Sequence, residues 1–374
     1  MRAAVWHGAE APVTIEDVTL DAPGPNEVRV KIAAAGVCHS DLHIIRQDWG
    51  GIAAPMVLGH EGSGTVTEVG RDVTDLSPGD HVVLSWIAPC NACSACHDGR
   101  PTQCLTHANT VSAGGVLHDG TSRLHRQNGG TLFHYSGVSS FAEDAVVPAS
   151  GAIKVRDDAP LEIIALVGCA VATGVGSVLN VAQVRPGSTV LIVGCGGVGL
   201  NVAQGARIAG AKTIVAIDVV KEKTQRALEL GATHALVAPM DGDHQSQAGL
   251  MSQIRRLLPN GADYAFDAIG GKQTAEQCLN TLAVGGAAVM VGIPKSGLTA
   301  EFEPQKLVDL DQRIIGANYG GIVPAVDIPR LVDLYMDGTL LLDPLVSHRR
   351  PLDEAAEALN DLQAGTALRQ LLIP

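Results

Sequence analysis

The sequence predicts an α/β protein in which a doubly wound parallel sheet follows a β-rich first half. Three observations predict it. From Thr189 onward, strand-like apolar runs alternate with helical stretches, the pattern of a parallel sheet covered by helices on both faces. A glycine-rich turn, Gly194-Cys195-Gly196-Gly197-Val198-Gly199, lies between the first of these runs and a helix. Before it the chain reads as short strands cut by turns, in the alternating "EVRVKI" and again in "GTVTEVG" and "PGDHVVLSW".

The 374 residues are enough for two domains, and a hydrophobic share of 46% allows a large core. A formal net charge of −13 with no basic stripe argues against nucleic acid or an anionic membrane as partner. The N-terminal "MRAAVWHGAEAPVTIEDV" lacks the apolar core of a signal peptide. Ile163 to Val184 carries no formal charge and is long enough to cross a bilayer, but its Gly, Ala, Thr and Ser content with Asn180 and Gln183 reads as one buried helix of a soluble protein. A cytoplasmic location is expected, and there clustered cysteines are better read as metal ligands than as disulfides.

Four of the eight cysteines fall in "CNACSACHDGRPTQC". Cys90, Cys93, Cys96 and Cys104 are spaced so that their thiolates can converge on one tetrahedral zinc with no open position. An iron–sulfur centre or free surface thiols are the alternatives. Pro89, Gly99 and Pro101 favour a loop over a helix. Elsewhere, "GVCHSDLH" holds Cys38, "GHEGSGTVTEVGRDV" holds His60 and Glu61, and "LVGCAVATG" holds Cys169. Singly each reads as a core or loop residue. Together they can supply two thiolates and an imidazole, leaving a fourth position for water or substrate.

The glycine turn follows the run Thr189–Val193, and an Ala-rich helical stretch and a second strand ending at Asp218 come after it. In that order these elements predict a dinucleotide fold of the Rossmann type, with Gly194, Gly196, Gly197 and Gly199 letting the backbone approach a pyrophosphate at the helix N-terminus. Asp218 is placed for ribose hydroxyls, and Val219 and Val220 beyond it supply no arginine for a 2′-phosphate, so NAD is expected over NADP. Further strands are expected at 235–238, 264–269 and 287–293. Cys195 reads as a small filler and Cys278 as core.

On the motif G-H-E-x2-G-x5-G-x2-V from Gly59 to Val73, the four-cysteine lobe and the glycine loop, the chain resembles the zinc-dependent alcohol dehydrogenases of the medium-chain dehydrogenase/reductase superfamily, essentially end to end. The resemblance implies a GroES-like catalytic domain over 1–170 and 314–374, with "RQLLIP" returning to it, and a Rossmann domain over 171–313. It implies two zinc ions: a catalytic one on Cys38, His60 and Cys169, and a structural one on Cys90, Cys93, Cys96 and Cys104. Glu61 would stand behind the catalytic ion, and Asp41 would hold the free nitrogen of His60. Ser40 and His43 would pass the alcohol's proton outward by way of the cofactor ribose. His39 and Arg369 would lie near the pyrophosphate and Lys223 near the adenosine ribose, with Thr173, Val198, Val291 and Ile293 around the nicotinamide. Trp86, Tyr135 and Asn318 match substrate-pocket walls, which favours primary alcohols with flat or extended tails. A homodimer is implied.

"LHDGTSRLHRQNGGTLFHYSGVSSFAE" resembles the family's long-loop branch, which includes glutathione-dependent formaldehyde dehydrogenases. That branch carries an arginine for the thiol carrier's carboxylate where this chain has Ala108. A simple alcohol is therefore the first expectation and a thiol–formaldehyde adduct the second. A third reading, a protein that only binds NAD, gives no reason for all three catalytic ligands to accompany Ser40 and His43.

Overall fold

The computed structural model describes residues 1–9, 11–239 and 244–374, the side chains of 244–247 excepted. They form two compact units, 1–169 with 322–374 and 170–321.

The first unit is built on antiparallel strands. Among the described residues, Arg2–Trp6, Val13–Leu20, Leu124–Arg126, Thr131–His134 and Met56–Val57 close into a barrel. A seven-stranded sheet is centred on Glu27–Val37, which pairs with Gly62–Val69, Asp144–Pro148 and Arg369–Ile373. The alternation in "EVRVKI" has its physical cause here: Val28, Val30 and Ile32 point into one core with Val66, Val82 and Leu84, while Lys31 stays exposed. The C-terminal strand Arg369–Ile373 lies between Glu27–Val37 and Val346–Pro351, so the chain's end completes a sheet begun at residue 27.

Among the described residues, the second unit is built on a six-stranded, wholly parallel sheet. Its strands are β1 (Thr189–Val193), β2 (Thr213–Asp218), β3 (His234–Val237), β4 (Ala262–Asp267), β5 (Leu282–Met290) and β6 (Arg313–Gly316), in the order β3-β2-β1-β4-β5-β6. This is the doubly wound dinucleotide-binding order, with the crossing point between β1 and β4. Because β6 is the sheet's last strand, the unit ends after it, at Gly321.

Two expected elements differ. The run from 163 to 184 is not one helix. Turns at Leu161–Ile164 and Ala165–Gly168 end at Cys169, whose φ −143° and ψ −79° are not helical, and Ala170–Gly176 starts afresh. No single helix among the described residues is long and apolar enough to cross a membrane; this broken pair passes only on length and composition. The chain packs closely at the break: a side chain on Gly168 would come within 2.5 Å of the Leu84 carbonyl oxygen. The cysteine lobe, expected as loop, contains two short helical turns, Ser94–His97, which stops before Gly99 in the left-handed region at φ 73°, and the 3₁₀ turn Pro101–Gln103.

Candidate functional site

Cys38, His60 and Cys169 come from three separate elements of the first unit. Cys38 precedes the helix His39–Ile45, His60 precedes the strand Gly62–Val69, and Cys169 is the break just described. All three are buried, and their ligand atoms lie within 4.8 Å of one another. One carboxylate holds two of them in place. Asp41, fully buried, accepts the Cys38 backbone N–H at 2.9 Å through Oδ2, and its Oδ1 lies 3.3 Å from His60 Nδ1. That contact leaves Nε2 as the ligand atom, and Nε2 is buried without a hydrogen-bond partner. An orphaned imidazole nitrogen beside two thiols is a fitting donor set for a zinc ion with an open fourth position.

The electrostatics agree. The hydrogen bond from Cys169 holds the Cys38 thiol well below its usual range, and the same contact, with burial, pushes Cys169 well above it. Burial alone would lower the His60 imidazole, but the charge and hydrogen bond of Asp41, with Cys38, raise it to about 10. The site therefore holds protons that a bound cation would displace.

Glu61 and Arg369 complete this centre. Both are buried, and Arg369 donates to the Glu61 carboxylate. Burial pushes the Glu61 carboxyl up to about 7 while Arg369 pulls it down. Gly36 makes room for the pair: a Cβ there would lie 2.7 Å from the Glu61 carboxyl carbon. Arg369, expected near a pyrophosphate, thus has a partner that the sequence does not reveal. The Tyr135 and His60 rings meet edge to face with centroids 4.9 Å apart, and the Tyr135 hydroxyl donates to the Ser40 carbonyl at 3.2 Å. Ser40 Oγ is 3.9 Å from Cys38 Sγ. His43 follows on the same helix and meets Asp48 at 2.7 Å, a second partner absent from the sequence reading. His39 is exposed at the start of that helix, and Trp86 packs beside the cluster around Val28 and Val82.

The lobe's four sulfurs also lie within 4.8 Å of one another. Backbone N–H groups point at them, from Cys90 to Cys104 Sγ at 3.2 Å, from Cys93 to Cys90 Sγ at 3.4 Å and from His107 to Cys104 Sγ at 3.4 Å. Such donors suit thiolates, and four sulfurs leave no position for a substrate.

In the second unit the glycines divide the work. Gly194 turns at φ 98°, a Cβ on Gly199 would strike the Gly194 carbonyl at 1.8 Å, and a Cβ on Gly196 would meet nothing. The space at Gly196, cap of the helix Gly197–Ile208, is open, and a glycine turn at a helix N-terminus is a setting that could hold a pyrophosphate against backbone N–H groups. Asp218 ends β2, and its carboxylate accepts the N–H of Cys195 at 2.7 Å and of Val220 at 2.9 Å, tying it to the glycine turn. Val291 and Ile293 follow β5, so they too stand at the carboxyl ends of the strands. Thr173 is buried on Ala170–Gly176, Val198 is the second residue of the helix Gly197–Ile208, between Gly197 and Gly199, Lys223 is on the helix Lys221–Glu229, and Asn318 begins the turn Asn318–Gly321.

Known proteins are similar to this chain along its length. Residues 24–157 match the alcohol dehydrogenase GroES-like domain, and 197–336 match the zinc-binding dehydrogenase domain. The chain is 35% identical over 380 residues to an S-(hydroxymethyl)glutathione dehydrogenase of Paracoccus denitrificans, covering 100% of this chain and 99% of that protein. It matches the structure of an alcohol dehydrogenase zinc-binding domain protein from Burkholderia ambifaria with a TM-score of 0.93 at 37% identity, covering 100% of this chain and 98% of that one. It matches benzyl alcohol dehydrogenase from Acinetobacter calcoaceticus with a TM-score of 0.91 at 31% identity, with the same coverage. With two zinc-type donor sets, a dinucleotide sheet and relatives matched end to end, the chain belongs to the zinc-binding alcohol dehydrogenase family.

Proposed function

We propose that the chain reversibly oxidises primary alcohols, aromatic ones included, to aldehydes with NAD. The observation that carries this is the buried Cys38–His60–Cys169 set with its orphaned Nε2. When bound, zinc there acidifies the alcohol hydroxyl and the nicotinamide takes the hydride. The chain's own residues do the rest. Asp41 orients His60 and Cys38. Ser40, which can accept and donate a proton, receives the alcohol's proton, and His43 carries it onward. Glu61 keeps a carboxylate behind the ligands, with Arg369 offsetting its charge. The second ion, on Cys90, Cys93, Cys96 and Cys104, stabilises its lobe.

Gly194, Gly196, Gly197 and Gly199 receive the pyrophosphate, aided by His39 and Arg369. Asp218 and Lys223 receive the adenosine ribose, the carboxylate disfavouring a 2′-phosphate. Thr173, Val198, Val291 and Ile293 surround the nicotinamide, and Trp86, Tyr135 and Asn318 bound the substrate. The likeness to a benzyl alcohol dehydrogenase supports a flat substrate. A homodimer is supported by β6, which has β5 as its one neighbour among the described residues and exposes Ile314, a strand edge open to a second copy. Eight cysteines without a disulfide suit the cytoplasm.

A second reading, oxidation of a thiol–formaldehyde adduct, is favoured by the Paracoccus relative. Ala108, exposed on the turn after Cys104, offers no charge for a thiol carrier's carboxylate. The test is reduced-nicotinamide absorbance with a panel of primary alcohols, and with formaldehyde plus and minus glutathione. Turnover of benzylic alcohols without a thiol supports the first reading. Turnover only with glutathione and formaldehyde replaces it with the second.

A further inference from the structure

The helix His39–Ile45 puts Ser40 and His43 three residues apart, on one face. The chain then doubles back. Gln47 takes a left-handed φ of 54°, and the Asp48 N–H donates to the His43 carbonyl at 3.0 Å. This turn brings two side chains onto the His43 ring. Asp48 Oδ2 lies 2.7 Å from Nδ1, and the Trp49 indole stacks on the ring with centroids 4.9 Å apart and planes 29° apart. His39 meets the ring edge-on at 5.9 Å. Trp49 is itself packed against the core cluster that holds Leu42 and Ile44, so the stack has a fixed backing. The helix Ala355–Ala364, packed against His39–Ile45, buries Ala355, Ala358, Leu359 and Leu362; its Glu357 is exposed and its Asp361 is held by Arg350.

We propose that Asp48 and Trp49 are positioning residues for His43: Asp48 accepts a hydrogen bond from Nδ1–H and so leaves Nε2 as the basic nitrogen, and Trp49 fixes the plane of the ring. This rests on the reading of Ser40 and His43 as proton carriers. A neutral imidazole carries one proton, and the partner of one nitrogen decides which atom is the acceptor. Without Asp48 the ring is free to present an N–H where a proton has to be received. An asparagine at 48 is worse than a neutral absence, because its amide N–H can donate to Nδ1 and hold the ring in the opposite tautomer.

The experiment uses the full-length, zinc-loaded protein. Proton–nitrogen NMR at mildly alkaline pH, without substrate, reads the His43 tautomer, with His43 assigned by the signals lost in His43→Gln. The wild type is expected to carry its proton on Nδ1, with its ring protons shifted by the Trp49 ring current. Asp48→Asn moves the proton to Nε2. In turnover, Asp48→Asn lowers kcat by at least about tenfold and leaves KM within about twofold, while Asp48→Glu restores most of the rate. In the His43→Gln background Asp48→Asn changes nothing further. A wild-type proton on Nε2 overturns the proposal, as does the full Asp48→Asn penalty in the His43→Gln background. If the wild type oxidises no alcohol, the dehydrogenase reading falls, and the His43 tautomer still decides the assignment of Asp48.

Discussion

Arg369→Met should sharply destabilise the first unit. The methionine keeps much of the arginine's aliphatic bulk, so packing changes little and the charge is what disappears. Arg369 is 4% exposed and Glu61 0%, and the two are paired. Glu61 cannot swing out to water: its carbonyl accepts from Gly36 N–H and Ser140 Oγ, each at 3.0 Å, and the Gly36 backbone lies against its carboxylate. A buried charge left without its partner costs about 3–5 kcal/mol. For a unit of this size that is roughly 6–20 °C in Tm. Calorimetry of the zinc-loaded protein reads it, with the Glu61→Gln/Arg369→Met double variant as control, expected to recover most of the loss. Burial raises the Glu61 carboxyl, so the penalty should shrink as pH falls and Glu61 becomes neutral. An Arg369→Met protein within about 1 kcal/mol of wild type at alkaline pH, as for an exposed pair, would refute the reasoning.

Other predictions concern other parts of the chain. His134 is buried, and burial, followed by the Arg123 charge, pushes its imidazole from 6.5 down to about 3. Unfolded chains take up that proton below 6.5 and the folded one does not until about 3, so stability should fall with pH across that window, by about 4–5 kcal/mol in all. His134→Gln should flatten the urea midpoint against pH; an unchanged slope counts against the assignment. Cys96→Ala should remove one zinc per chain by metal analysis and lower Tm, whereas Cys169→Ala should remove the other zinc together with activity; the reverse pattern would exchange the roles of the two sites. Gly196→Ala should fold normally and weaken NAD binding by calorimetry, because its Cβ enters open space, while Gly199→Ala should cost stability through its 1.8 Å clash. Equal stability of the two variants would contradict the division of roles among the glycines.

The legible parts of this protein are those whose chemistry is local in sequence. A dinucleotide loop needs its glycines within one turn, so Gly194, Gly196 and Gly199 announce it, and β1 and β2 flank it as expected. The lobe's thiols lie close enough along the chain to be read from spacing. Cys38, His60 and Cys169 are spread over three elements; their residue types suggest an open donor set, but it takes the resemblance to assign them to one ion and the fold to bring them together. The break at Cys169 was missed because composition stays apolar across it; Gly168, pressed against the Leu84 carbonyl, was the one signal. The Glu61–Arg369 pair joins residues 308 positions apart, which no local pattern can disclose. Asp48 was missed because its role depends on a left-handed turn at Gln47, a residue type that seldom marks one.

The placement of Arg369–Ile373 has a consequence for how the protein is made. The parallel sheet, 170–321, is continuous in sequence and has all its strands once residue 316 has emerged from the ribosome. The antiparallel unit begins earlier and is finished later: its central strand, Glu27–Val37, is paired along Glu27–Lys31 by Asp144–Pro148, but its Ala35–Val37 end stays open on that edge until the C-terminal strand arrives. During synthesis Glu61 is likewise without the guanidinium that balances it, and contacts this far apart in sequence form slowly. Chains stopped short of residue 369 would carry a complete parallel sheet beside an unclosed strand edge, a species prone to pairing with its own kind.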